Sequence, residues 1–293
     1  MNRRILVRLL KETFQEWQKD DASSLAASLA YYTSVSLAPL LIIFIAIAGA
    51  VFGEEAAKGE IVNQIRGLVG INGAEFIETA IQNADQPEIS NFASFISIII
   101  LLFGASGVFA ELQKSLNKIW QVAAKPDRGW KEFIRKRLLS FSAVLGAGFL
   151  LLVSLIISAI LSGLNHYLND LIPGIDFLWQ LLNFFLSFAI VTVLFALMYR
   201  YLPDVEISWR DVTMGAIITA LLFTVGKFVL GLYLSRGSFG SVYGAAGSLI
   251  IILVWVYYST QILFFGAEFT QVYARRYGSK IVPNKHAISI NQE

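Results

Sequence analysis

Long apolar runs broken by short charged stretches organise the chain from end to end. A helix needs about 20 mostly apolar residues to cross a bilayer. Six segments answer to that length: the run closing with Ser36–Gly53, then Phe92–Ala110, Leu138–Leu164, Phe177–Tyr199, Val212–Leu234 and Ala245–Ala267. A backbone in lipid must satisfy its own hydrogen bonds, so these segments are expected as helices. They are much longer than the alternating strands of a membrane barrel. The expected fold is all-α: a single polytopic transmembrane domain over 1–293 with six membrane-crossing helices, plus interfacial amphipathic helices.

The amphipathic pieces show in shorter periods. In 1–20, Leu6, Leu9, Leu10, Phe14 and Trp17 recur at helical spacing with basic residues between them. That pattern suits a helix lying at the membrane surface, or an ordinary helix packed on the protein. In 54–91 the stripe Ile61, Val62, Ile65, Leu68, Val69 is followed, after a break at Gly70–Gly73, by Phe76, Ile77, Ala80, Ile81. Two amphipathic helices are expected there, capping an external opening. The approach to the first span, "DASSLAASLAYYTSVSLAPL", has no charge after Asp21. From Asp21 to Gly53 a helix would run about 50 Å, either as one tilted rod or as two pieces broken at Pro39. Its Ala/Ser face suits close helix packing, and Tyr31 and Tyr32 would turn their polar tips to the interior or the inner interface.

Composition agrees with the membrane class. Of 293 residues, 56% are hydrophobic and 15% charged, against about 25% charged in soluble domains. The mean hydropathy is +0.63. The first long apolar run starts near Val35, too late for a cleavable signal peptide. Lys and Arg set the direction. Segment 1–20, the basic loop 111–137, the link after span four and the tail 273–293 hold 19 of the 23, against three on the other side and Lys227 within span five. Both termini are expected in the cytoplasm. The outer loop 54–91 carries seven acidic and two basic residues, which argues against a role in binding anionic lipid.

With no cysteine and only His166 and His286, a disulfide framework, a thiol nucleophile and a His-rich metal site are excluded. No P-loop, HExxH or GxSxG occurs. No cofactor and no nucleic-acid partner is expected; the net charge of +2 is small. The candidate chemistry is therefore intramembrane ionisable and aromatic groups. Lys227 lies about 24 Å along its helix from Asp211, either holding an anionic headgroup in a cavity or snorkelling outward. Glu111 and Glu268 end spans two and six near the cytoplasmic boundary, as a shared site or as partners of nearby Lys and Arg. Trp255 lies mid-span, to line a cavity or to pack. Arg200 and Asp204 stand close enough in sequence to pair beside Pro203. Ser154, Ser158 and Ser162 read as a packing seam, "GASG" at 104–107 as a kink or close crossing, and Trp120, Trp130, Trp179 and Trp209 as interface anchors.

Three stretches, "DASSLAASLAYYTSVSLAPLL", "GASGVFAELQKSLNKIWQV" and the block from "YRYLPDVEISWRDVTMGA" to "SVYGAAGSLIIILVWVYYSTQILFFGAEFT", together resemble the YihY/BrkB family of bacterial integral membrane proteins. The resemblance covers nearly the whole chain. It implies six spans with cytoplasmic termini in the inner membrane. It also brings labels of ribonuclease and virulence factor, and a link to envelope lipids; the ribonuclease label fits poorly with two histidines and no cysteine. By match to the family pattern, Asp21, Ala27, Tyr31, Tyr32, Pro39, Glu111, Asn117, Arg200, Pro203, Tyr243, Gly244, Trp255, Tyr258 and Glu268 are carried over. The expected function is transport or flipping of a lipid or other amphiphile, with membrane lipids as partners and Lys227, Tyr31 or Tyr32 holding the headgroup. The alternatives are a scaffold or assembly factor of the envelope and, last, an intramembrane enzyme using Glu111 and Glu268.

Overall fold

The computed structural model describes residues 3–84, 91–125, 146, 176–236, 246–279, 281–285 and 287–290. The expected span Leu138–Leu164, with its serine seam, lies outside them save for Gly146, as do Trp130, Tyr243 and Gly244. The described elements are α1 (Arg3–Lys19), α2 (Ala22–Phe52), α3 (Glu54–Ala84), α4 (Asn91–Ile119), β1 (Val122–Ala124), α5 (Asp176–Tyr201), β2 (Val205–Glu206), α6 (Trp209–Arg236), α7 (Ala246–Tyr277), β3 (Val282–Pro283) and β4 (Ala287–Ser289). Within them Ala22–Ala50, Phe184–Tyr201, Trp209–Gly231 and Gly247–Tyr277 are long and apolar enough to cross a membrane. The expected second span falls within α4.

Helices α1 and α2 join at Asp20–Asp21. Asp21 takes the left-handed conformation, φ 53° and ψ 46°, which Asp tolerates better than most side chains. Its carbonyl accepts the Ser24 and Leu25 amides and so starts α2. Pro39 does not break α2, which runs unbroken for 31 residues, about 46 Å. The proline ring lies against Gly104 of α4, where an added Cβ would come 3.3 Å from Pro39 Cγ, and Gly107 faces Ser36 and Tyr32. The glycines of "GASG" therefore mark a close crossing of α2 and α4.

Helix α3 turns at Gly70, whose φ of 79° and ψ of −178° lie outside what a side chain readily allows. Ile61, Val69, Ile77 and Ile81 bury against Leu41, Ile45 and Ala48 of α2 and Ile251 and Ile252 of α7. The two amphipathic pieces thus exist, but Phe76 of the second stripe is exposed.

The opposite end of the bundle carries α1 and the C-terminal strands and holds the larger core, with Leu116 and Ile119 of α4 and Trp120 just after it, Phe195 and Tyr199 of α5, Val212 and Ala216 of α6, and Phe264 and Ala267 of α7. The frame is mostly helical, as expected, and two short ladders are added at this end. Strand β1 pairs antiparallel with β4, Val122 opposite Ser289, and β2 pairs with β3, Val205 opposite Pro283. Ladders of two or three residues are too short to leave an alternating signal. The loop and tail boundaries shift with them: 111–119 is helical, and the tail from 273 is helix to Tyr277 and then strand. Trp120 is not an interface anchor but buried in this core.

Candidate functional site

At the terminal end, α1, α6 and α7 enclose a groove of about 760 Å³ lined by Ile5, Trp209, Arg210, Thr213, Met214, Tyr273 and Tyr277. The sequence builds it from helix periodicity. Phe269, Tyr273 and Tyr277 recur every turn on α7; Phe269 and Tyr273 stack at 6.2 Å, and the Tyr277 ring lies tilted 6.1 Å from Tyr273. Trp209 and Arg210 open α6. Trp209 is fixed from behind by the Tyr201 ring edge at 6.0 Å and the Arg200 guanidinium 5.8 Å above it, a favourable cation–π geometry. One cation at the mouth of an aromatic and aliphatic wall suits an anionic amphiphile. A second cavity of about 500 Å³ at the α3 end lies among Ile42, Ile45, Gly49, Glu54, Lys58 and Ile81.

Helix α1 forms one wall of the groove and is clasped to α7. Leu9 packs on Phe269 and Val272. Arg275 donates to Glu12 at 2.7 Å and to Glu16 at 3.0 Å, and Arg276 also donates to Glu12. The outer face of α1 keeps Val7, Leu10 and Phe14 exposed beside exposed Arg4, Arg8 and Lys11. So α1 is a packed helix on one side and has the composition of a membrane-surface helix on the other.

The clasp responds to acid. Burial pushes the Glu12 and Glu16 carboxyls up, but hydrogen bonds from Arg276, Arg275 and Lys19 outweigh it and hold both below the ordinary carboxylate value. A lowered carboxyl stabilises the docked helix above its free value, near pH 4.3, and loses that effect as pH falls through the docked value. A spin-label distance from α1 to the body of the protein is expected to lengthen below about pH 4, and Arg275→Gln is expected to shift that release toward neutral pH.

Beneath the clasp, Glu268 is 0% exposed. Its carboxyl neighbour is Asp20, just past the end of α1. Burial and the Glu16 charge raise the Asp20 carboxyl above its ordinary value; the Glu268 carboxyl beside it and the charges of Lys19 and Lys118 offset this only in part.

The other expected residues fall as follows. Glu111 accepts Ser28 Oγ at 2.8 Å and meets Lys114 Nζ at 3.6 Å. Glu111 and Glu268 therefore sit in two separate pairings. Lys227 is exposed on α6 among exposed Val225, Phe228 and Val229, and neither cavity is lined by it. Tyr31 and Tyr32, edge-on at 5.8 Å, are 64% and 41% exposed, and the Tyr32 ring also borders Gly107 of α4. The packed face of α2 carries Ala22, Ala26, Leu29 and Ala30. Trp255 meets the Phe223 ring edge-on at 6.2 Å, and Tyr258 packs over Gly226. Asp204 is anchored by Asn117: Asn117 Nδ2 donates to its carboxylate at 3.0 Å, and the Asp204 amide donates to Asn117 Oδ1 at 2.7 Å. Pro203 is buried beside it, while Arg200 is over Trp209.

Sequence reasoning missed Asp20, Arg210, Tyr273 and Tyr277. In sequence Arg210 is one of two cations in the link after span four, next to Trp209. Thr13, Trp17 and Asp20 share one face at spacings of four and three, a polar stripe within an otherwise apolar contact. Among the described residues, no group of three His, Asp or Glu side chains is placed to hold a metal ion.

Long apolar helices packed on one another, with a groove at their terminal end, define a polytopic helical membrane protein. The chain belongs to the family described as "Virulence factor BrkB", which matches residues 13–291. A UPF0761 membrane protein of Psychrobacter sp. is 25% identical over 278 residues, covering 93% of this chain and 49% of its own length. One from Rhodospirillum centenum is 29% identical over 268 residues, covering 90% and 57%. One from Mannheimia succiniciproducens is 25% identical over 279 residues, covering 92% of both. The chain thus spans about half the length of the first of these relatives and nearly all of the last. No solved structure matches.

Proposed function

We propose that this chain is an inner-membrane protein of six crossings, with both termini in the cytoplasm, that binds a lipid or other anionic amphiphile and moves it between leaflets without hydrolysing ATP. The observation that carries this reading is the groove with Arg210 at its mouth, aromatic side chains along its wall and the basic α1 beside it. Its volume falls within the usual range for small-ligand sites, about 300–1,000 Å³. The 19-to-3 bias of Lys and Arg supports a cytoplasmic position for this face,. The headgroup contact is assigned to Arg210 in place of Lys227, which is exposed and lines neither cavity. Movement would follow a gradient or a coupled ion. The chain is read as non-enzymatic, because the two carboxylates suited to acid–base work are engaged separately.

A scaffold or assembly role in the envelope is the second reading, favoured by the close glycine-mediated packing of α6 on α7. Proteoliposomes containing a fluorescent anionic phospholipid separate the two. Transbilayer movement faster than in empty vesicles is expected, with Arg210→Gln slowing it about tenfold, the loss of ~1.4 kcal/mol of binding. Movement equal to that in empty vesicles would end the transport reading; retained lipid binding without movement would favour assembly.

A further inference from the structure

The Asp20–Glu268 contact joins a fully buried carboxyl, Glu268, to a half-buried one, Asp20, with no donor to either. Both oxygens of Glu268 and Oδ2 of Asp20 are buried and accept no hydrogen bond from any donor. Thr13 Oγ1 and Trp17 Nε1, on the face of α1 that bears Asp20, and Gln271 Oε1, three residues beyond Glu268, are buried and unpartnered too. The neighbouring cations do not neutralise Glu268. Arg275 is bonded to Glu12 and Glu16, Lys19 is bonded to Glu16, and Lys118 of α4 acts on Asp20 only through its field. Ionised carboxylates only accept, so the pair cannot bond to itself unless one carries a proton. Two adjacent buried carboxylates cannot both ionise without a large cost.

We propose that Asp20 and Glu268 form a proton-binding site that holds one proton between the two carboxyls while α1 lies on α7, and releases it when α1 lifts. The inference stands whether or not a lipid is moved. Ile5 of α1 lines the groove, so protonation at one end of α1 governs the wall at the other. The sign is opposite to that of the Glu12–Arg276 clasp. Asp20 sits above its ordinary value; a raised carboxyl favours the docked state at low pH, and that effect is lost as pH rises through the docked value. Docking is therefore strongest between the two transitions. If the site is coupled to movement of a solute, the ion is the proton.

The test uses the full chain in nanodiscs of phosphatidylethanolamine and phosphatidylglycerol. Because the chain has no cysteine, Lys11→Cys and Glu206→Cys place a unique spin-label pair on α1 and β2. Infrared titration is expected to show a protonated carboxyl persisting well above the free carboxylate value of about 4, lost together with a lengthening of the label distance. Glu268→Gln is expected to remove that band and leave α1 docked at alkaline pH. Asp20→Asn, at a less buried position, is expected to shift the transition to lower pH and serves where Glu268→Gln does not fold. No protonated carboxyl at neutral pH, a transition unchanged in both variants, or a distance that follows sodium at fixed pH would overturn the proposal.

Discussion

Gly266→Val is expected to leave little folded protein. Helices α6 and α7 approach through three glycines. A Cβ on Gly266 would land on Thr219 Oγ1 and close to Tyr199 Oη, one on Gly215 would land on Thr270 Oγ1, and one on Gly226 would strike Tyr258 and Ile262. The space is taken by a buried hydroxyl knot. Tyr199 Oη donates to the Leu263 carbonyl at 2.7 Å and lies 3.0 Å from Thr219 Oγ1, which bonds the Gly215 carbonyl at 2.8 Å. Overpacking costs about 1–3 kcal/mol, and hydroxyls forced off their partners add about 1–3 kcal/mol each. The sum is roughly 3 kcal/mol or more on those terms, a large part of a typical stability. Gly266→Ala should be milder, and Thr219→Ala combined with it should recover part of the loss, a coupling readable from a double-mutant cycle. Thermal unfolding in detergent micelles checks this; a Gly266→Val protein melting with the wild type would refute the close seam.

Asp204→Ala is expected to be the second most damaging change, and to act at the terminal end. Asp204 is 1% exposed. It gathers Asn117 of α4 and Asn284 of the tail, which donates at 3.2 Å, while the Asn284 amide reaches the Asp204 carbonyl at 3.0 Å. Hydrogen bonds to a charged group are worth about 1.5–3 kcal/mol each, and the buried Asn117 amide would lose this acceptor. A loss of roughly 3 kcal/mol follows, with β3 and β4 freed to proteases before the helices melt. Asp204→Asn keeps the shape and should cost less. Equal protease resistance of the tail in wild type and Asp204→Ala would show that the knot does not hold it.

Much of the helical frame was legible because burial in lipid imposes one requirement, a long apolar run, on every crossing. The same logic exposed the two halves of α3, since Gly70 interrupts a clear apolar stripe. Pairs brought together across the chain were not legible. Asn117 and Asp204 stand 87 residues apart, and Ser28 and Glu111 stand 83 apart; neither partner marks the other in sequence. Lys227 drew notice for its charge in an apolar run, yet the rotation of α6 about its axis turns it outward. Arg210 looked like one more loop cation until α1 and α7 closed around it.

The sequence by itself determined the class: membrane-crossing helices, the basic asymmetry of the ends, the absence of thiol chemistry and the family pattern. Each of these is a property of a single segment or a sum over residues. Only the tertiary structure decided which polar groups matter. It joined Asp20 to Glu268, clasped α1 to α7 through Arg275 and Arg276, and placed Arg210 on a groove. Those outcomes depend on the rotation and crossing of helices far apart in the chain, which small residues such as Gly104, Gly215 and Gly266 permit and no local periodicity encodes.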